Sequence, residues 1–374
     1  MIVGIDLHNI RDGGGPNYIR NLLEATDPLL DGVEHVHLFG AADVLEMFPD
    51  RGWITKHAFL ELGGGLAARL SFVARRLPAL LRAAGCDILY APGGIAFGNF
   101  RPYATISRNM MPFRPEFWGM YPRFSAERAR LQLLRRLNAF TFERADGMIY
   151  LSSTAREAIT PYLRRRPRHV AIVPHGVDQH RFCPVHRTFA GGAHAPLRLV
   201  YPSRLEPYKH QVEVVAAVGR LPGVNLTLCG PANAGYLTKV QAALLSADPD
   251  QTRMRYIGEV PNATLPTLYA DSDLLVFASS CENLPNILIE AMASGIPICC
   301  SDRSPMPEIA RDACLYFDPS DPMSIAASID EARRDPEATR QRCERGLQYA
   351  ASYSWQQTAR RTFALLAAAA ATSN

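Results

Sequence analysis

The sequence predicts an α/β protein built from two doubly wound parallel-sheet domains. Three observations carry that prediction. Short apolar runs alternate with helical patterns, and this alternation occurs twice along the chain. A stretch without apolar periodicity, residues 188–196 (TFAGGAHAP), separates the two series. The length of 374 residues suits two or three domains.

In the first series, residues 2–6 read as a short buried strand. Gly13, Gly14 and Gly15 follow it, and then a helix over 17–25. Further strands are expected at 33–39, 87–90, 103–107, 147–151 and 170–173. Helices are expected over 66–84 and 124–145, and from the hydroxyl-rich cap at 152–154 through 163. The second series gives strands at 197–201, 224–228, 255–258, 274–278 and 296–300. Its helices fall at 211–220, 236–245, 265–269 and 286–293, and across much of 324–371. The expected domains are 1–190 and 191–355. Open sheets of this kind bind ligands at the carboxyl ends of their strands. Two such domains facing each other would place the site in the cleft between them.

Composition is that of an ordinary soluble globular chain, with 48% hydrophobic and 20% charged residues. No run of about 18 apolar residues is present, which argues against a membrane span. The opening residues lack a basic segment followed by an apolar one, which argues against a signal peptide. The eight cysteines form no C-x-x-C pair and read as reduced, buried thiols of a cytoplasmic protein.

Four segments carry candidate chemistry. The first places Glu282 and Glu290 eight positions apart, around Asn283, Leu284, Pro285 and Asn286. Pro285 suits the first turn of a helix, where its missing N–H has no intrahelical partner to lose. Free N–H groups of that turn suit a phosphate, with one carboxylate on either side for sugar hydroxyls. Any two glutamates could instead be solvated on a surface helix. Here the preceding apolar run 274–278 puts them at a strand's carboxyl end. The second segment, Ser203-Arg204-Leu205-Glu206-Pro207-Tyr208-Lys209, sets two cations five positions apart after another strand, a spacing fit to clamp a diphosphate. The third is the glycine run Gly13, Gly14 and Gly15. It allows close approach of backbone to ligand, although Tyr18 spoils a G-x-G-x-x-G fingerprint. The fourth is Ser107-Arg108-Asn109, polar residues ending a strand.

In these residues the chain resembles the retaining GT-B glycosyltransferases of family 4, the group 1 family. The run E-x-x-P-N-x-x-x-E-A-M-A-x-G-x-P is present from Glu282 to Pro297, and the S-R-L-x-x-x-K run ends at Lys209. The resemblance covers nearly the whole chain. It implies two Rossmann-like domains, with a last helix, about 356–374, crossing back to the first after Ser352-Tyr353-Ser354-Trp355. It implies that Glu282 contacts the donor sugar, Glu290 the nucleotide ribose, and Arg204 and Lys209 the leaving diphosphate. The glycine run and Asn109 fall to the phosphate and acceptor side. Gly258 and Val260 fall beside the nucleotide base. Arg108 stands where many members carry histidine close to the donor sugar, a departure from the pattern, and counts with Glu282, Arg204 and Lys209 among the catalytic residues, able to hydrogen-bond a sugar hydroxyl or carry charge to the transition state. Pro174-His175-Gly176-Val177-Asp178 matches a turn at the interdomain boundary. The activity implied is transfer of a mannose-like hexose from a nucleotide-diphosphate sugar, with a slight preference for GDP-mannose, to a hydroxyl of a glycan or lipid-linked acceptor. Two protein cations on the diphosphate would make a metal or other cofactor unnecessary.

Arginine is clustered at 123, 128, 130, 135, 136 and 144 and again at 164–166 and 168. This is either a solvated charged face or a surface for anionic lipid, which would hold the protein peripherally on the inner face of the membrane. No nucleic-acid recognition motif accompanies these residues. Competing readings are a catalytically inactive nucleotide-sugar-binding protein, a nucleotide-sugar epimerase of the same architecture, and a dinucleotide-dependent oxidoreductase.

Overall fold

The computed structural model describes residues 1–11, 14–184, 189 and 196–372. It divides into two compact units. Met1–Pro115, Tyr121–Gly176 and Ser354–Asn374 form the first, and Glu116–Met120 with Val177–Tyr353 the second. The chain thus leaves the first unit after Gly176 and re-enters it at Ser354, so the helix Trp355–Ala371 belongs to the first unit. The expected linker, 188–196, lies outside the described residues apart from Phe189 and Pro196.

The first unit holds seven parallel strands: β1 (Ile2–Asp6), β2 (His35–Gly40), β3 (Ile54–Ala58), β4 (Ile88–Ala91), β5 (Tyr103–Ile106), β6 (Gly147–Tyr150) and β7 (His169–Ile172). Their order is β3-β2-β1-β4-β5-β6-β7. The second holds six: β8 (Leu197–Pro202), β9 (Val224–Cys229), β10 (Met254–Tyr256), β11 (Leu274–Phe277), β12 (Ile298–Ser301) and β13 (Leu315–Phe317), in the order β10-β9-β8-β11-β12-β13. Both sheets are wholly parallel, so the central strands, covered on both faces, are largely apolar, while edge strands such as β3 are not. β11 is the clearest case, with Leu274, Leu275, Val276 and Phe277 all fully buried. In each sheet the order reverses once, between β1 and β4 and between β8 and β11. At such a reversal two neighbouring strands send their next segments apart and leave a crevice at their carboxyl ends.

Several elements differ from expectation, each for a local reason. The single helix read over 66–84 is two, Leu66–Arg75 and Leu77–Ala83. Pro78 has no N–H for the helical ladder, and its ring opposes the carbonyl four residues back, so the chain restarts there. The helix expected from residue 17 begins at Gly14. Gly14 and Gly15 therefore lie in its first turn, not in a loop before it. Gly13 is outside the described residues. Pro285 caps the helix Asn286–Ser294 instead of occupying its first turn. Arg123 precedes the helix Ala126–Arg144, whose N-cap is Ser125. The sequence reading lacked β3, an edge strand of half-exposed residues (ITKHA), and β13, which has only three residues.

Candidate active site

The second unit gathers candidate residues at the β8/β11 reversal. The two strands pair directly, Leu274 with Leu199 and Leu275 with Val200. After β8 the chain makes a short turn, Pro207–Lys209, anchored by the buried Leu205 and by Tyr201, whose hydroxyl donates to the Lys209 carbonyl at 2.7 Å. After β11 it runs through 278–285 into the helix Asn286–Ser294. The two loops meet: Ser280 N donates to the Tyr208 carbonyl at 2.8 Å, and Lys209 Nζ forms an ion pair with the Glu282 carboxylate. Lys209 is 7% exposed, and its ammonium lies 5.4 Å from the ring centres of both Tyr208 and Phe277. A buried lysine must be paired, because an isolated charge out of water costs too much. Lys209 is thus no solvated surface cation, and the two motifs form one constellation. Arg204 is exposed, while its carbonyl accepts from the buried Gln211 side chain at 2.9 Å.

Glycines bring the neighbouring loops close. Gly230, after β9, has φ +132°, and a Cβ there would stand 2.3 Å from the Ser203 carbonyl oxygen. Its N–H donates to the Gly258 carbonyl at 2.8 Å, and the Gly230 carbonyl accepts from the Tyr256 hydroxyl at 2.7 Å. Gly258 itself has φ +80°, and Val260 beyond it is half-buried. The loops after β8, β9 and β10 therefore sit edge to edge at the carboxyl end of the sheet.

Among the described residues, no side chain caps the first N–H groups of the helix Asn286–Ser294. Leu288 N and Ile289 N reach back to the Pro285 carbonyl at 3.0 and 3.3 Å. The N–H groups of Asn286 and Ile287 precede them, and Pro285 has no side-chain acceptor to cap them. Asn283 and Leu284 are buried and Asn286 is exposed. Glu290 lies one turn in. The Tyr269 hydroxyl donates to its Oε2 at 3.5 Å. Burial pushes its carboxyl up to about 7, against the pull of Arg181 and the Tyr269 hydrogen bond.

Arg181 and Tyr269 were missed in the sequence. Asp178 Oδ1 accepts from the His180 and Arg181 N–H groups, both at 3.1 Å, and so shapes the turn that presents Arg181. The Arg181 guanidinium donates to the Asn262 carbonyl and lies 4.9 Å from the Phe182 ring. Phe182 packs 5.9 Å from Tyr269. The Asp in the Gly176-Val177-Asp178 turn, with a basic residue three positions later, was the available signal.

In the first unit, Arg108 follows β5 and lies against the glycine turn. A Cβ on Gly15 would be 3.2 Å from its Nη1, and one on Gly14 3.7 Å from its Nη2. Its guanidinium lies 5.5 Å from the Tyr18 ring. Burial pulls the Arg108 pKa down, and the Tyr18 and Tyr90 side chains beside it oppose that. Those two hydroxyls share a hydrogen bond of 2.7 Å. Asn109 is exposed, and its Oδ1 accepts from Met111 N at 3.1 Å, so the side chain caps a local turn. His175 is buried and stacked between Tyr18, at 4.8 Å, and Trp355, at 5.7 Å. A Cβ on Gly176 would stand 2.2 Å from Trp355 N. That turn is packing. The sequence reading also missed a buried pair at the end of β1, where His8 Nδ1 lies 2.7 Å from Asp6 Oδ2.

Two Asp-x-Asp triplets, a pattern that can hold a metal, occur at 248–250 and 271–273. One member of each has a structural partner. Asp248 Oδ2 accepts from the Arg253 and Met254 N–H groups at 2.7 and 2.8 Å, and Asp273 pairs with Arg198 at 2.8 Å. Among the described residues, Cys229, Cys281, Cys299, Cys300 and Cys314 are buried, Cys86 and Cys343 half-buried and Cys183 exposed, all as free thiols. No helix among the described residues is long and apolar enough to cross a membrane. The helix Ala126–Arg144 exposes Arg130, Leu133, Arg136, Phe140 and Arg144 at helical spacing, with Phe124 just before it. Arg128 and Arg135 are half-buried, and Arg135 lies 5.1 Å from the Tyr162 ring.

The chain is similar to known proteins in sequence and in fold. The family model for glycosyl transferases group 1 matches residues 190–348. O-antigen chain mannosyltransferase B of Escherichia coli is 37% identical over 103 residues, which is 28% of this chain and 27% of that protein. The matches to the first curated relatives span from 27% to about half, 50%, of their length. Among solved structures, the sucrose-phosphate synthase of Thermosynechococcus elongatus superposes with a TM-score of 0.79 at 18% identity, over 99% of both chains. The HepE protein of Anabaena, in complex with UDP, gives 0.71 at 17% identity, over 98% of this chain and 99% of that one. The solved structures show the GT-B fold of two parallel-sheet Rossmann-like domains, and the match over residues 190–348 is what the second unit shares with the glycosyl transferases group 1.

Proposed function

We propose that the protein is a retaining hexosyltransferase that uses a nucleotide-diphosphate sugar and needs no metal. The observation that carries this reading is the buried Lys209–Glu282 pair beside the uncapped N–H groups of Asn286 and Ile287, at the β8/β11 reversal. A pyrophosphate there meets an ammonium, the exposed Arg204 and helix amides together. When the diphosphate arrives, it competes with Glu282 for Lys209 and releases the carboxylate to hydrogen-bond the sugar. Glu290, held in an apolar setting, accepts from ribose hydroxyls. Gly258 and Val260 offer backbone to the base.

In the reaction, the bond from the anomeric carbon to the phosphate oxygen breaks and its electron pair leaves with the diphosphate. The acceptor oxygen bonds to the same face of the sugar, and its proton passes to the departing phosphate oxygen. The protein's part is to hold the donor and stabilise the leaving charge. Arg108, beside Gly14 and Gly15, offers a further cation in the first unit for the reacting sugar.

The E. coli relative supports mannose as the sugar, and the UDP complex of HepE keeps uridine donors open. A thermal-shift panel of GDP-mannose, UDP-glucose and their nucleoside diphosphates identifies the donor. Lys209→Ala and Glu282→Ala should each abolish nucleoside diphosphate release while the protein stays folded. Wild-type turnover in either variant refutes the assignment.

A further inference from the structure

His210 is the strained residue of this region. It has φ 54° and ψ 33°, in the left-handed region, although it is not glycine and is only 5% exposed. A buried, bulky residue keeps that conformation only when its surroundings over-determine it. Its Nε2 shares a hydrogen bond with Ser280 Oγ, and its Nδ1 lies 3.6 Å from the Glu213 carboxylate.

The consequence is geometric. Three successive residues after β8 reach the same stretch after β11: Tyr208 through its carbonyl to Ser280 N, Lys209 through its ammonium to Glu282, and His210 through its ring to Ser280 Oγ. In a regular helix or strand, side chains at adjacent positions point about 100° or 180° apart and cannot share one target. The left-handed residue is the bend that turns both Lys209 and His210 onto one loop before the helix Gln211–Gly219 begins.

We propose that His210 is a positioning residue for the transfer reaction: its ring fixes Ser280, and through it the segment that carries Glu282, where Lys209 and Glu282 face the same ligand. This rests on the reading of Lys209 and Glu282 given above. The strained backbone and the ring contact act together. Glycine at 210 would keep the bend and remove the contact.

The test uses the full chain and whichever of GDP-mannose and UDP-glucose the wild type turns over, with nucleoside diphosphate release as the readout. His210→Gly should still fold, because relief of the left-handed strain offsets part of the packing and hydrogen bonding lost with the ring. It should lower kcat by about tenfold to a hundredfold, the range for a small misplacement of reacting groups. KM for the donor should change little, since the ribose and base contacts are untouched. Ser280→Ala should show the same split, and the double variant should be no worse than either. His210→Asn, which tolerates the left-handed conformation and keeps a hydrogen-bonding side chain, should recover part of kcat. Wild-type kcat in His210→Gly, alongside an inactive Lys209→Ala, overturns the role of His210 alone. An active Lys209→Ala overturns the site reading beneath it. Loss of fold in both His210 variants assigns the ring to stability and also overturns the proposal.

Discussion

Glu290→Gln gives a quantitative check on the burial of the Glu290 carboxyl. In the folded second unit the Glu290 carboxyl sits at about 7, against an ordinary 4.5, because burial penalises the anion more than Arg181 and Tyr269 support it. Holding a carboxyl that far up corresponds to roughly 3 kcal/mol at full ionisation. The sign follows from proton binding. Between about 4.5 and 7 the folded state binds a proton that the unfolded state has lost, so stability falls as pH rises through this window. Below it both states are protonated and the cost vanishes. Above it both are ionised and the cost is complete. Glutamine keeps an acceptor for the Tyr269 hydroxyl and cannot ionise. The variant, free of nucleotide, should therefore match the wild type near pH 4.5 and exceed it by up to roughly 3 kcal/mol at pH 8, about 6–12 °C in Tm for a unit of this size. Thermal unfolding of both proteins from pH 5 to 8.5 measures the difference. Arg181→Gln should widen it, by removing the cation that favours the anion. A difference that does not change with pH would mean that Glu290 ionises normally, and the argument from burial would fail.

Three further outcomes follow from other parts of the molecule. Gly230→Ala forces a Cβ to within 2.3 Å of the Ser203 carbonyl oxygen at φ +132°, and should destabilise the second unit by roughly 3 kcal/mol in denaturant unfolding. Reversing Arg130, Arg136 and Arg144 to glutamate should lower partition onto phosphatidylglycerol vesicles about a hundredfold or more, at about 1 kcal/mol per charge near the surface, with no effect on phosphatidylcholine. Equal flotation on both lipids by the wild type would remove the membrane from the account. Donor turnover should persist in excess EDTA; its loss, restored by Mg²⁺, would require a metal.

What could be read from sequence depended on how many residues had to agree. β11 and the motif after it were plain, because a buried parallel strand is apolar at every position and the 282–297 run constrains nine positions at once. β3 and β13 were hidden. An edge strand with half-exposed side chains has no alternation to read, and three residues make no pattern. The break at Pro78 was readable from proline chemistry but was outweighed by the amphipathic period around it. At the site, residue types gave Lys209, Glu282 and Glu290 and separate ligands for each. The ion pair between the first two exists only because β8 and β11 are neighbours, a fact of topology. Arg181, Tyr269 and His210 were invisible for the same reason, since each acts through a partner more than twenty positions away.

The cysteines are unevenly shared: Cys86 is in the first unit and the other seven in the second. Burial lifts the Cys229 and Cys299 thiols to about 12, so at neutral pH they carry almost no thiolate to attack a disulfide reagent. A labelling reagent should modify the exposed Cys183 at once and wait for the sheet to open before reaching Cys229, Cys281, Cys299, Cys300 and Cys314. Counted by mass, late additions then clock the opening of the second unit by itself, with the first almost silent, and a nucleoside diphosphate bound as proposed should slow that clock.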